Sequence, residues 1–461
     1  MPKSFSWGIQ ELDELYGPVP GGYVILIEGL PGTGKTAFSL QLATANALQG
    51  DKVLYILTNE DAGKLLKVAE SIGLDLKELI NKKLINIISL PMINDTSIVD
   101  FLSKSIMERV IGGAKIVIID SITPLVKILR DYGMKRSFLH TALYQVFKQE
   151  DLLLVLIADT LSYYDEDVKL LEYIADIVIE LSASIYGEKS IVRKLVVKKF
   201  RGKTVNVYKL FIGFTNTGIK ILSYVSNRIA EKILTRRKPV EVECSAARKI
   251  FGSRLLPGTQ ILIHFKGPVS GARNFIKYVQ KLIEKSVALQ GYNCALISFT
   301  TRTLVKIDDL YKESSEFIRE HVLEEKKALG DKLLIYRLDP GLSSGEDLLT
   351  FEREIVVSKD VGIVVIHGLE KFVQVYGEEA IDIHVPYILN VLRRLGTIGI
   401  RVFVSPVETI RPPRAYYLWC DLTIEVYPGK DGEYMIKSIK GIESVEVKDS
   451  MFKECIEKNT I

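Results

Sequence analysis

The segment that most constrains this chain is Gly29-Leu-Pro-Gly-Thr-Gly-Lys-Thr36. A β-branched run, Tyr23-Val-Ile-Leu-Ile-Glu28, stands directly before it, and small and apolar residues at helical spacing follow from Thr36 to Gln49. The pattern G-x-x-x-x-G-K-[ST] has a physical meaning in that strand, loop and helix context. Glycines at 29, 32 and 34, with Pro31 and Thr33 between them, let backbone N–H groups turn inward around phosphate oxygens. The helix N-terminus adds positive potential, Lys35 can reach the terminal phosphates, and the Thr36 hydroxyl can ligate Mg²⁺. A nucleotide phosphate chain is the expected ligand. A turn that only closes a strand-helix corner does not account for Lys and Thr at both required positions.

Gly50 stops the helix, and Lys52 to Thr58 reads as a second strand. The alternation continues with a helix from Ala62 to Gly73, a strand Ile85 to Leu90, a helix near Thr96 to Ile111, a strand Lys115 to Asp120, a helix after Phe138 and a strand Leu152 to Ala158. Continuous apolar strands between amphipathic helices predict a mostly parallel sheet covered on both faces. Ile177 to Leu181, Ile191 to Lys199 and Val205 to Ile212 follow without helices between them, an antiparallel extension that ends the domain near Leu222.

The pattern then repeats. Pro257 to His264 mirrors Pro20 to Ile27, Asn293 to Phe299 mirrors the strand at Val53, and Val361 to His367 mirrors Lys115 to Asp120. Ile400 to Ser405 mirrors Leu152 to Ala158, and Trp419 to Val426 mirrors Ile174 to Leu181. The expectation is two tandem α/β domains, residues 1–222 and 241–446, joined by a basic linker at 223–240 and followed by a tail at 447–461. The second copy is about ten residues longer inside, around Glu316 to Lys332. Arg228 to Lys238 in the linker reads either as a solvated helix or as a nucleic-acid patch.

Composition agrees with 461 residues in two cores: 47% are hydrophobic and 26% charged, and no apolar run approaches the ~20 residues of a bilayer span. A net charge of +4 is too small to announce nucleic acid by itself. Four scattered cysteines without a CxxC pair predict neither a finger-type metal site nor a disulfide framework. The start of the chain lacks the apolar core of a signal peptide, so a cytoplasmic location is expected.

Three further positions carry candidate chemistry. Asp120 ends an apolar strand, where a Mg²⁺-organising carboxylate belongs. Asn59 and Glu60 follow the strand after the loop helix; Glu60 either orients an attacking water or caps the next helix. Lys198-Lys-Phe-Arg-Gly-Lys203 is either a solvated hairpin or a phosphate-stabilising group.

Trp7 to Gly22, the loop Gly29 to Thr36, Ile118-Ile-Asp-Ser121, the strand around Asp176 and Lys199-Phe-Arg-Gly202 together resemble the KaiC branch of the RecA-like ATPases. The resemblance covers the first domain fully and the second weakly. It implies ATP held between neighbouring subunits of a hexameric ring, a glutamate pair activating water, and a Lys-x-Arg element, here Lys199 and Arg201, that reaches the neighbour's γ-phosphate. One glutamate of the pair falls on Asn59 and only Glu60 remains, which implies slow hydrolysis. In the second copy Ala272 and Arg273 replace the loop Lys and hydroxyl, His367 replaces the metal carboxylate, and Thr300, Thr301 and Arg302 replace the strand-end acids. Arg273 keeps the option of holding an anion through loop geometry.

The sequence therefore predicts a slowly hydrolysing ATPase with one active site per chain, ATP and Mg²⁺ as cofactors, and self-association. The second copy is a candidate surface for a protein partner. The alternatives are an ATP-dependent DNA-binding recombinase or helicase, which lacks a separate DNA-binding module here, and a non-hydrolysing ATP-sensing scaffold.

Overall fold

The computed structural model describes residues 3–458 apart from 59, 91–96, 130, 141–151, 161–164, 187–189, 206–208, 216, 300–326, 339–344, 406–410 and 441–444. The chain divides into two compact units: Met1–Ser184 with Val192–Ser226, and Asn227–Ile461 with the short segment Ile185–Ile191.

In the first unit β1 (Tyr23–Gly29) leads through the glycine loop into α1 (Lys35–Leu48). There follow β2 (Lys52–Leu57), α2 (Ala62–Ser71), β3 (Ile85–Ser89), α3 (Ser97–Ile111), β4 (Ala114–Asp120), α4 (Thr123–Ile128), β5 (Leu153–Asp159) and α5 (Glu166–Ile174). The last strands are β6 (Ile177–Tyr186), β7 (Ser190–Phe200), β8 (Lys209–Thr215) and β9 (Gly218–Ile221). They form one sheet in the order β9-β8-β7-β6-β1-β5-β4-β2-β3. Side chains alternate along β1, so Ile25 and Ile27 join the core with Phe38 and Leu42 of α1, while Val24 and Leu26 join Leu170, Leu171 and Ile174 of α5. Burying each such side chain contributes about 1.5–3 kcal/mol, which is why β1 reads as a continuous apolar run.

The parallel part extends one strand further than expected, because β6 pairs parallel with β1. The antiparallel order begins at β7, β8 and β9. The helix expected after Phe138 lies largely outside the described residues, as does most of the insertion near Glu316.

The second unit repeats the plan with α6 (Ser245–Phe251), β10 (Gln260–Phe265), α7 (Arg273–Gln290), β11 (Asn293–Phe299), β12 (Leu333–Leu338), α8 (Gly345–Ser358), β13 (Val361–His367) and α9 (Leu369–Arg394). It closes with β14 (Ile398–Val404), β15 (Leu422–Pro428), β16 (Tyr434–Lys440), β17 (Glu446–Lys448) and α10 (Met451–Lys458). Its sheet order is β12-β11-β13-β14-β10-β15-β16-β17. Strand β12 adds a sixth recurring element, the counterpart of β3.

Hydrogen bonds correct the register of the repeat by one residue. Val24 N donates to Asp176 Oδ2 at 3.1 Å and Gln260 N to Asp421 Oδ2 at 2.8 Å, so Gln260 stands where Val24 stands. His264 therefore takes the place of Glu28, not of Ile27.

Three other expectations need correction. Residues 447–458 are not a tail, because β17 pairs with β16 and Phe452 of α10 is buried against Phe275 and Tyr278. Cys455 of α10 is disulfide-bonded to Cys244, although 211 residues separate them in sequence; the fold brings the chain end back against α6. The 223–240 segment holds a helix, Asn227–Leu234, but its Arg237 is buried, pairs with Asp360 at 2.8 Å and lies 4.6 Å from the Tyr292 ring centre. That part of the linker belongs to the second unit.

Candidate nucleotide site

The loop between β1 and α1 keeps its shape through glycine. Gly34 has φ 103°, and a Cβ there would lie 2.3 Å from Phe214 Cζ, so only glycine admits that ring against the loop. No side chain caps α1, which leaves its first N–H groups directed at the loop, the arrangement that attracts anions. Thr33 Oγ1 turns back to the Leu30 carbonyl at 2.8 Å and braces the turn.

Lys35 is buried, and its Nζ donates to the carbonyl oxygens of Gly29 at 2.8 Å and Leu30 at 2.9 Å while pairing with Asp159 at 2.9 Å. Asp159 ends β5, in register with Gly29. Thr36 Oγ1 donates to Asp120 Oδ2 at 2.9 Å, and the Tyr55 hydroxyl donates to the same oxygen at 2.9 Å. Burial holds the Asp120 carboxyl above its ordinary range, opposed by those two hydrogen bonds and reinforced by the nearby charges of Glu60 and Asp159. At the ends of β2 and β4, Thr58 Oγ1 donates to the Ser121 carbonyl at 2.8 Å and accepts from Ser121 N at 3.0 Å.

These groups border a cavity of about 490 Å³ lined by Pro31, Gly32, Gly34, Lys35, Thr36, Glu60, Asp120, Asp159, Arg193 and Phe214. Arg193 lies over the Phe214 ring at 5.1 Å. Sequence reasoning missed Asp159, Tyr55, Arg193 and Phe214. Asp159 carried a legible signal, a carboxylate at the end of a buried strand, like Asp120.

Glu60 is exposed and faces this cavity. The cap of α2 is Asp61, whose side chain accepts from Lys64 N at 3.0 Å, so Glu60 is left without the capping role. Asn59 lies outside the described residues.

Lys199 and Arg201 are not brought to the loop of their own chain. Lys199 Nζ donates to the carbonyls of Glu172, Tyr173 and Ala175 at 3.0, 3.2 and 2.6 Å, and Arg201 pairs with Asp176 at 2.7 Å, just before β6 starts. Burial and then the Arg201 charge lower the Lys199 pKa.

The corresponding place in the second unit is filled from within. Asp449 accepts from Phe275 N at 2.8 Å, from Asn274 N at 3.3 Å and from Asn274 Nδ2 at 2.9 Å, so a carboxylate of the chain itself caps α7. The Tyr434 ring lies against the loop, 2.0 Å from where a Gly271 Cβ would stand. This counts against the expectation that Arg273 keeps an anion site through loop geometry, because Asp449 already engages the N–H groups of Asn274 and Phe275. His367 ends β13, in the place of Asp120, and burial lowers its pKa to about 4. Thr300, Thr301 and Arg302 lie outside the described residues.

A phosphate loop at the end of a central strand, with a carboxylate ending the next strand but one of a mostly parallel sheet, defines the RecA-like class of P-loop domains. The sequence model described as "ATPase: KaiC" matches residues 5–226. Those residues form a KaiC-type ATPase domain, and the second unit repeats its RecA-like plan. Among curated proteins, the Circadian clock protein KaiC2 of Synechocystis sp. (strain ATCC 27184 / PCC 6803 / Kazusa) is 35% identical over 85 residues. That match covers 18% of this chain and 15% of the relative. Among the described residues no helix is long and apolar enough to cross a membrane.

Proposed function

We propose that the chain binds Mg-ATP at its first unit alone, hydrolyses it slowly, and works as a nucleotide-dependent regulatory assembly of identical chains. The observation that carries this reading is the approach of Thr36 to Asp120, with Lys35 beside them at a capless helix N-terminus.

The residues fit a divalent cation. Asp120 is a half-buried carboxylate held above its ordinary pKa by desolvation, so a positive charge next to it and Thr36 Oγ1 relieves that cost. Mg²⁺ keeps several waters and needs few protein ligands, which suits this pair. The ion, when bound, screens the phosphate charges; the chain's own groups do the rest. The loop N–H groups orient the phosphates, Lys35 exchanges its carbonyl and Asp159 contacts for phosphate oxygens, and Glu60 orients the attacking water. With Asn59 unable to take a proton, turnover is slow.

Lys199 and Arg201 serve the neighbouring subunit's nucleotide in this reading, and a head-to-tail interface of that kind either closes into a ring, the form proposed here, or grows into a filament. The DNA-engaging alternative is weakened because the two flanking lysines of the 198–203 run have internal partners: Lys198 pairs with Glu28 and Lys203 donates to the Tyr16 carbonyl. Calorimetric titration with Mg-ATP tests the proposal: one site per chain is expected, and its loss on Asp120→Ala only in the magnesium-dependent part of the affinity.

A further inference from the structure

Two cavities lie near the phosphate loop. One is the phosphate-loop cavity on the α1 side of the sheet. The other, of about 340 Å³, lies on the α5 side, between α5, the ends of β1 and β6, and Lys198 of β7. By strand alternation Glu28 shares the face of Val24 and Leu26, away from α1.

Glu28 is 1% exposed. Its Oε1 accepts from Lys198 Nζ at 2.7 Å, and its Oε2 is buried with no partner. A buried carboxylate oxygen without a hydrogen bond is costly. Lys198 is already shared with Glu172 and with Glu180 at 3.6 Å. Around the cavity, Glu28, Asp165, Glu172 and Glu180 outweigh Lys169 and Lys198, and the remaining wall includes Leu30, Val168 and Leu181.

The second unit carries a fully bonded histidine in the place of this carboxylate. Its His264, the counterpart of Glu28, bonds Ser405 Oγ at 2.7 Å through Nε2 and the Tyr417 hydroxyl at 3.0 Å through Nδ1. Lys440 donates to the Tyr417 and Leu418 carbonyls, as Lys199 does to Glu172 and Tyr173, so Tyr417 replaces Glu172 and Ile439 replaces Lys198. The fold therefore does not need carboxylates at the positions of Glu28 and Glu172.

We propose that this cavity binds a small aliphatic amine, whose ammonium group donates to Glu28 Oε2 while its methylenes lie along Leu30, Val168 and Leu181. Burial raises the Glu28 carboxyl to about 7 against the pull of Lys198, with Glu172 adding to the rise. The ionised form that accepts the ammonium is thus gained as pH rises through that value.

The test is calorimetry on the full chain without nucleotide, so its outcome is independent of the ATP reading. Putrescine and spermidine are expected to bind and 1,4-butanediol is not. Glu28→Gln lowers the amine affinity roughly ten-fold or more, Val168→Trp fills the cavity and abolishes binding, and affinity rises from about pH 6 to about pH 8. Both variants keep the wild-type thermal transition. Equal affinity in Glu28→Gln, equal heat from butanediol, or no amine binding in the wild type overturns the proposal. A lysine-bearing peptide that binds where putrescine does not assigns the cavity to a partner chain and also overturns it.

Discussion

At the residue scale, Lys35 has three contacts to give up when a phosphate arrives: the Gly29 and Leu30 carbonyls and Asp159. Lys35→Ala removes the only loop lysine in the chain, since Ala272 stands in its place in the second unit, and should leave no measurable ATP binding by calorimetry. Glu60→Gln should slow phosphate release by about 10²-fold, the lower range of general-base help, and Asn59→Glu should raise it. If neither substitution moves the rate, water activation does not run through this strand end. Lys35, Thr36 and Asp120 were legible because motif and strand end lie in short segments. Tyr55, Arg193 and Phe214 were not, because three different strands must fold before they meet Asp120 or the loop.

At the scale of elements, the two loops differ in what satisfies the helix behind them. In the second unit Asp449 caps α7, so Asp449→Ala should cost about 1–2 kcal/mol in urea unfolding of that unit and leave ATP affinity unchanged. The disulfide that anchors α10 should contribute about 2–4 kcal/mol, read as a lower unfolding midpoint when reductant is added. His264 and His367 are both held near a pKa of about 4 by burial. Because both values are depressed below the ordinary histidine value, the unfolded chain takes up protons first, and the second unit loses stability as pH falls from about 6.5 toward 4. Equal urea midpoints at both ends of that window contradict the assignment. Hydrophobic periodicity made the strands and most helices of both units legible. It could not reveal the one-residue register shift at His264, since Ile27 and Glu28 are neighbours and only the Asp176 and Asp421 bonds decide between them. The packing of the chain end was not legible for a related reason: Phe452 meets Phe275 and Tyr278 and Cys455 joins Cys244, all far away in sequence.

At the scale of the whole molecule, the tandem plan pairs an open phosphate loop with a closed one. If Lys199 and Arg201 serve a neighbour, Arg201→Ala chains should bind ATP but turn it over about 10³-fold more slowly, and mixing them with Lys35→Ala chains should restore part of the activity. A mixture that stays inactive returns these residues to the hairpin role that their Glu172, Ala175 and Asp176 contacts already fill. The central claim, one working nucleotide site in a chain with two RecA-like units, is tested most directly by titrating the full chain with Mg-ATP in a calorimeter. A stoichiometry of one per chain, falling to none in Lys35→Ala, is the predicted result; two comparable sites, or a site that survives Lys35→Ala, would contradict it.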